Sequence, residues 1–235
     1  MNLEEVNYNV NDNWYDRHIL RKFSIHITRI LIHTPVTANQ VTTSRFLIGL
    51  IACVLFLFGK WEFSIIGAVL IFFCSGVLDQ VDGEIARYKN QFSTKGIWID
   101  YIVHRNLPPI ILVSVGYGSY VSTGILLYFI ASVFIAMFLL ITMSMAMIRI
   151  ITILKETGKP IGDVELEKDR KQSFFFKADY LINAFLTHEI MEFVLVIFAL
   201  ANRIHYLIIW SSFFLILKIF FWSLKFLSRG EKWML

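Results

Sequence analysis

Three carboxylates and an imidazole stand between long apolar runs, in Asp79-x-x-Asp82-Gly83-x-x-Ala86-Arg87 and in Gly96-x-x-x-Asp100-x-x-x-His104. Asp79, Asp82, Gly83 and Ala86 are spaced i, i+3, i+4, i+7, which is one face of a helix. Gly96, Asp100 and His104 follow at i, i+4, i+8 and share the face of a second helix. If the two faces meet, their oxygens form a pocket suited to Mg²⁺ or Mn²⁺. Gly83 and Ala86 leave the first face almost bare, so a bulky phosphate-bearing ligand can lie against the backbone. Arg87 supplies a fixed positive charge beside it. The plain alternative is a loop of ordinary charges between two spans. Ionised groups at a membrane edge are costly and are by default functional, which favours the site.

The elements that must position these residues follow from a wider match. The stretch resembles the signature of the CDP-alcohol phosphotransferase family: Asp-x-x-Asp-Gly-x-x-Ala-Arg, eight residues, then Gly-x-x-x-Asp-x-x-x-Asp. Every fixed position agrees except the last, where His104 stands for the family's fourth Asp. The resemblance implies an all-α membrane fold of six transmembrane helices preceded by an amphipathic interfacial helix. It implies transfer of a phosphoalcohol from a CDP-linked donor, CDP-diacylglycerol or another CDP-alcohol, to an acceptor hydroxyl with release of CMP. Asp79, Asp82 and Asp100 would hold Mg²⁺ or Mn²⁺, as two ions. Gly83, Ala86, Arg87 and Gly96 would contact the nucleotide and diphosphate, with Arg87 or Lys89 on a phosphate oxygen. The family also tends to form homodimers.

In the family the fourth Asp completes the metal site and takes the acceptor's proton. With Asp100, His104 is therefore the catalytic pair expected here. An imidazole, of reference pKa about 6.5, is an acceptable general base near neutrality. Two alternatives stay open: His104 is also a ligand, whose nitrogen favours Mn²⁺ or Zn²⁺ over Mg²⁺, or it marks a catalytically silent homologue. A cation-binding transporter is a competing class. Its acids would be expected near the bilayer midplane, and here they cluster at one edge.

Composition bounds the rest. The chain has 235 residues, is 57% hydrophobic and only 17% charged, which excludes an ordinary soluble domain and points to a polytopic membrane protein. The formal charge of +4 is modest, and no nucleic-acid partner is expected. Cys53 and Cys74 lie in apolar runs and read as packing residues rather than a disulfide. The first forty residues lack an early apolar h-region, so no cleavable signal peptide is expected.

Three segments result: 1–40, an N-terminal cytoplasmic segment; 41–227, a six-helix catalytic domain; and 228–235, a cytoplasmic tail. Apolar residues recur at helical spacing from Trp14 to His33, interleaved with Arg17, Arg21, Lys22 and Arg29, as in a helix lying in the lipid interface. Thr34-Pro35 ends it. The expected spans are Val41 to Phe58, Phe63 to Leu78, Gly96 to Val115, Tyr120 to Met147, Tyr180 to Leu200 and Ile204 to Leu227. Gly59-Lys60-Trp61-Glu62 makes a tight hairpin, and Pro108-Pro109 should kink the third span. Asn39 is either the N-cap of the first span or, with Thr42, a contact to the cytidine portion. Arg45, one turn inside that span, must snorkel outward or meet an anion.

Further polar residues sit in later spans. Asn183, Glu189 and Glu192 line an acceptor pocket or form a buried polar network between helices. Arg149 and Lys218 hold a phosphate on the acceptor or snorkel to the interface. With six spans, nearly all Lys and Arg fall on the side of the termini, and essentially Lys60 and Arg203 on the other. By the positive-inside rule the signature and both termini face the cytoplasm.

Overall fold

The computed structural model describes residues 20–91, 93–157 and 188–229. Among them every regular element is helical: α1 (Arg21–Leu31), α2 (Ala38–Leu57), α3 (Trp61–Ile71), α4 (Leu78–Tyr88), α5 (Thr94–Thr123), α6 (Leu126–Thr157), α7 (His188–Leu200) and α8 (Tyr206–Arg229). A π-helical segment, Phe72–Val77, joins α3 to α4. Among the described residues, four stretches are long and apolar enough to cross a membrane: Ala38–Leu57, Trp61–Tyr88, Leu126–Met145 and Tyr206–Leu224. Of the two other expected spans, α5 begins with the charged Lys95, Asp100, His104 and Arg105, and α7 is described only from His188. The part of the fifth span before His188, and the interfacial helix before Leu20, lie outside the described residues.

The outer surface is apolar. Leu47, Ile51, Val54 and Leu57 run down one face of α2 and are 56, 56, 54 and 40% exposed, a surface that matches lipid rather than water. Ala52 and Phe56 on the same helix join a buried cluster that also holds Ile71, Leu107, Ile111 and Leu195, all nearly inaccessible. Cys53 and Cys74 are buried and unbridged, as packing residues should be.

α1 turns polar residues inward and apolar ones outward. Phe23 and Ile30 are exposed, while Ser24 and Thr28, one turn apart, are buried. Both hydroxyls donate to Glu84 on α4, at 2.9 and 2.5 Å. Glu84 is itself only 1% exposed, and its desolvation is offset by these two bonds.

Two local expectations are corrected. The N-cap of α2 is Thr37 rather than Asn39: its Oγ1 accepts from Gln40 N at 3.3 Å and its N donates to Gln40 Oε1 at 2.9 Å, a capping box. The break expected between Val115 and Tyr120 is absent, and α5 continues to a left-handed Gly124 with φ of 75°. Gly116 and Gly118 are packing contacts within it. A Cβ on Gly118 would stand 1.9 Å from the Phe56 carbonyl oxygen, and one on Gly116 2.0 Å from Ser132 Oγ. Pro108 and Pro109 lie within α5, which runs through them. The hairpin between α2 and α3 is as expected, with Gly59 at φ of 64°, a conformation glycine adopts freely.

Candidate active site

The site forms where α2, α4 and α5 meet. The π-helical segment contributes to this, since an extra residue in a turn re-aims the helix that follows. Gly76 in that segment allows close packing, with Leu20 2.9 Å from where its Cβ would be. α4 then presents Asp79 and Asp82 toward α5, and α5, capped by Ser93 accepting from Gly96 N at 3.0 Å, presents Asp100 and His104 toward α4.

Nε2 of His104 lies 3.1 Å from Asp79 Oδ1 and 3.3 Å from Asp100 Oδ1. Asp79, Asp100 and His104 each offer a ligand atom, all within 4.8 Å of one another. Asp82 is next to this group, its Oδ2 accepting from Thr42 Oγ1 at 2.8 Å and lying 3.8 Å from Arg45 Nη1. Arg45 is the residue that ties the carboxylates together. Its Nη1 pairs with Asp79 Oδ1, and its Nη2 donates to Asp100 Oδ1 at 2.8 Å. Of the two fates open to Arg45, it meets anions and does not snorkel.

Oxygen donors dominate this set, and one imidazole nitrogen joins them, so the residues present fit a divalent cation. Oδ2 of Asp79, Oδ1 of Asp82 and Oδ2 of Asp100 have no bond among the described residues and remain for an ion. Three carboxylates against one guanidinium also leave two negative charges for a dication to match.

The residues expected at the nucleotide are placed as follows. Gly83 lies beside Arg87, whose Nη1 would be 3.3 Å from a Cβ there. Ala86 is half-buried on the same helix. Gly96 and Asn39 are neighbours, with Asn39 Oδ1 2.6 Å from the Cβ that Gly96 lacks. Asn39 and Lys95 also line an open groove of about 360 Å³ beside the site. Thr42 is occupied with Asp82. Lys89 is not available for a phosphate: its Nζ donates to the carbonyl oxygens of Leu31, Thr34 and Val36 at 3.2, 2.7 and 2.7 Å, which takes all three donors.

The residues expected at the acceptor are only partly placed. Asn183 lies outside the described residues, as do the side chains of Glu189 and Arg149. Glu192 is buried, with Oε2 3.8 Å from the Cβ position of Gly76. Lys218 is buried as well, its Nζ 5.3 Å above the Trp222 ring. A second cavity, of about 190 Å³, opens by the α2–α3 hairpin, among Gly59, Trp61, Thr123, Arg203 and His205. It shares no lining residue with the site.

Two contacts went beyond the signature, and both had a signal in the sequence. Asn39, Thr42 and Arg45 are spaced i, i+3, i+6, so a hydroxyl and a cation share one face of α2. Ser24 and Thr28 at i, i+4 gave α1 a polar stripe among its apolar residues.

Comparison with known proteins agrees with this geometry. The family model described as CDP-alcohol phosphatidyltransferase matches residues 35–217, most of the chain. A protein named "Bifunctional IPC transferase and DIPP synthase" from Thermococcus kodakarensis is 31% identical over 108 residues, 46% of this chain and 24% of that one. One of the same name from Archaeoglobus fulgidus is 36% identical over 94 residues, 40% of this chain and 18% of that one. The match thus spans a quarter or less of these relatives' length. The signature residues, the helices that gather them and the extent of the family match lead to one conclusion: this membrane protein belongs to the CDP-alcohol phosphatidyltransferase family.

Proposed function

We propose that the chain moves a phosphoalcohol from a CDP-linked donor to an acceptor hydroxyl and releases CMP. The observation that carries this reading is the convergence of Asp79, Asp82, Asp100 and His104, from two helices, at one end of the helical bundle. Divalent metal, Mg²⁺ or Mn²⁺ and two ions in this reading, would neutralise the diphosphate and stabilise the departing CMP. Asp79, Asp82 and Asp100 would hold it through their unspent oxygens. Gly83, Ala86 and Gly96 leave backbone open to the nucleotide, Arg87 binds a phosphate oxygen, and Asn39 borders the groove for the cytidine.

The acceptor oxygen attacks the phosphorus that bears the alcohol, and the bond from that phosphorus to the bridging oxygen breaks. CMP leaves with the electron pair, and the acceptor's proton goes to His104. With Nε2–H donated to the carboxylates of Asp79 and Asp100, Nδ1 carries the lone pair that receives it. Asn183, Glu189, Glu192, Arg149 and Lys218 belong to the acceptor side. The six-span topology, a homodimer and a cytoplasmic site facing the basic side of the membrane complete the reading.

The test is CMP release by purified protein from a panel of CDP-alcohols, with Mg²⁺, Mn²⁺ or chelator. Release should require the metal and vanish in Asp82→Asn. Release untouched by that substitution would sink the reading and leave a silent homologue or a cation carrier.

A further inference from the structure

The carboxylates of the site converge on one buried cation from the first span. The Arg45 side chain is 1% exposed, while those of Asp79, Asp82 and Asp100 are 28, 12 and 45% exposed. Arg45 therefore lies on the inner side of the cluster, and the carboxylates open away from it. Each spends one oxygen inward: Asp79 Oδ1 and Asp100 Oδ1 on Arg45, and Asp82 Oδ2 on Thr42.

We propose that Arg45 is the permanent counter-ion of this site: it holds the three carboxylates together before metal arrives and keeps its place when metal binds. The proposal rests on the function above only for the identity of the metal's ligands. Three like charges this close repel one another, and beside lipid little water screens them. A guanidinium suits the task, because it never loses its charge and its planar fork reaches two carboxylates at once. Arg45 is thus a positioning residue, acting on the metal through Asp79 and Asp100.

Thermal unfolding of the full chain in detergent, in chelator and in saturating Mn²⁺, tests this with Arg45→Met, Arg45→Lys and the double variant Arg45→Met/Asp79→Asn. In chelator, Arg45→Met should unfold about 5 °C or more below the wild type, with Mn²⁺ recovering most of the loss. Arg45→Lys should fall between the two. The double variant, with one carboxylate fewer to neutralise, should regain stability without metal. An Arg45→Met protein as stable as wild type in chelator would overturn the proposal. So would a double variant no better than Arg45→Met, which would make the role one of packing. Binding of Mn²⁺ tenfold more tightly by Arg45→Met at unchanged stability would show Arg45 sitting in the ion's own place, and would overturn it too. If Arg45→Met fails to fold, folding of the double variant supports the proposal and its failure refutes it. None of these readouts involves CMP, so a chain without transferase activity can still show the pattern.

Discussion

Nε2 of His104 lies 3.1 Å from Oδ1 of Asp79, so the residue that departs from the family signature is in contact with the residue that begins it. The substitution has not displaced the position from the cluster. A longer, nitrogen-bearing side chain reaches back to the carboxylates where the family uses a fourth acid.

That contact makes substitutions at 104 the most informative. His104→Ala should lower the rate of CMP release by about 10²- to 10⁴-fold, the usual worth of a positioned general base. His104→Asp should keep activity, since a carboxylate there can take the acceptor's proton in the imidazole's place. Initial rates of CMP release measure both. A fully active His104→Ala would end the base assignment and leave the fold untouched.

Thr42 should matter through Asp82 rather than through the nucleotide. Thr42→Val is nearly isosteric and removes the 2.8 Å bond to Asp82 Oδ2. Loss of such an orienting bond lowers metal affinity by about 10- to 100-fold. Titration with Mn²⁺ followed by electron paramagnetic resonance reads the affinity directly, and an unchanged value would return Thr42 to the cytidine.

Two glycines should differ sharply on substitution by alanine. At Gly118 the new Cβ would meet the Phe56 carbonyl oxygen at 1.9 Å, and backbone cannot step aside without parting α2 from α5. Gly118→Ala should lose most folded protein, read as the monodisperse fraction after extraction. At Gly96 the obstacle is Asn39 Oδ1 at 2.6 Å, the end of a side chain that can rotate. Gly96→Ala should fold and weaken the binding of CDP. Equal yields of the two variants would contradict the helix contact.

At the other end of the bundle, burial and the neighbouring Arg203 hold the His205 imidazole below its ordinary value. A group whose folded pKa is depressed binds more protons when unfolded. Its stabilising contribution is therefore full above the ordinary value of about 6.5 and is lost as pH falls through the lowered folded value. His205→Gln should flatten that part of the stability–pH curve, measured by thermal unfolding between about pH 5 and 8. An identical slope in the variant would assign the effect elsewhere.

The sequence was most legible where spacing alone fixes geometry. Asp79 and Asp82 at i, i+3, and Asp100 and His104 at i, i+4, could only project from one helix face each, and the helices do meet. It was least legible where one residue type serves two purposes. The span end expected at Val115 is overrun because Gly116 and Gly118 sit inside α5, where they let it pack closely on its neighbours. Lys89 read as a phosphate ligand because of its charge, while three carbonyl oxygens at the end of α1 needed a donor. Asn39 and Thr37 are both good caps, and only the Gln three residues on distinguishes them. Arg45 presented a choice between lipid headgroups and anions that no local pattern could decide, because its partners are far away in the sequence.

The Glu84 bonds to Ser24 and Thr28, with Lys89 gripping the chain just beyond them, have a mechanical corollary. α1 is thereby riveted to the back of the helix whose front carries Asp79 and Asp82. Any push on α1 is handed on to the carboxylates instead of being lost in a loose joint, so the two helices shift as one piece.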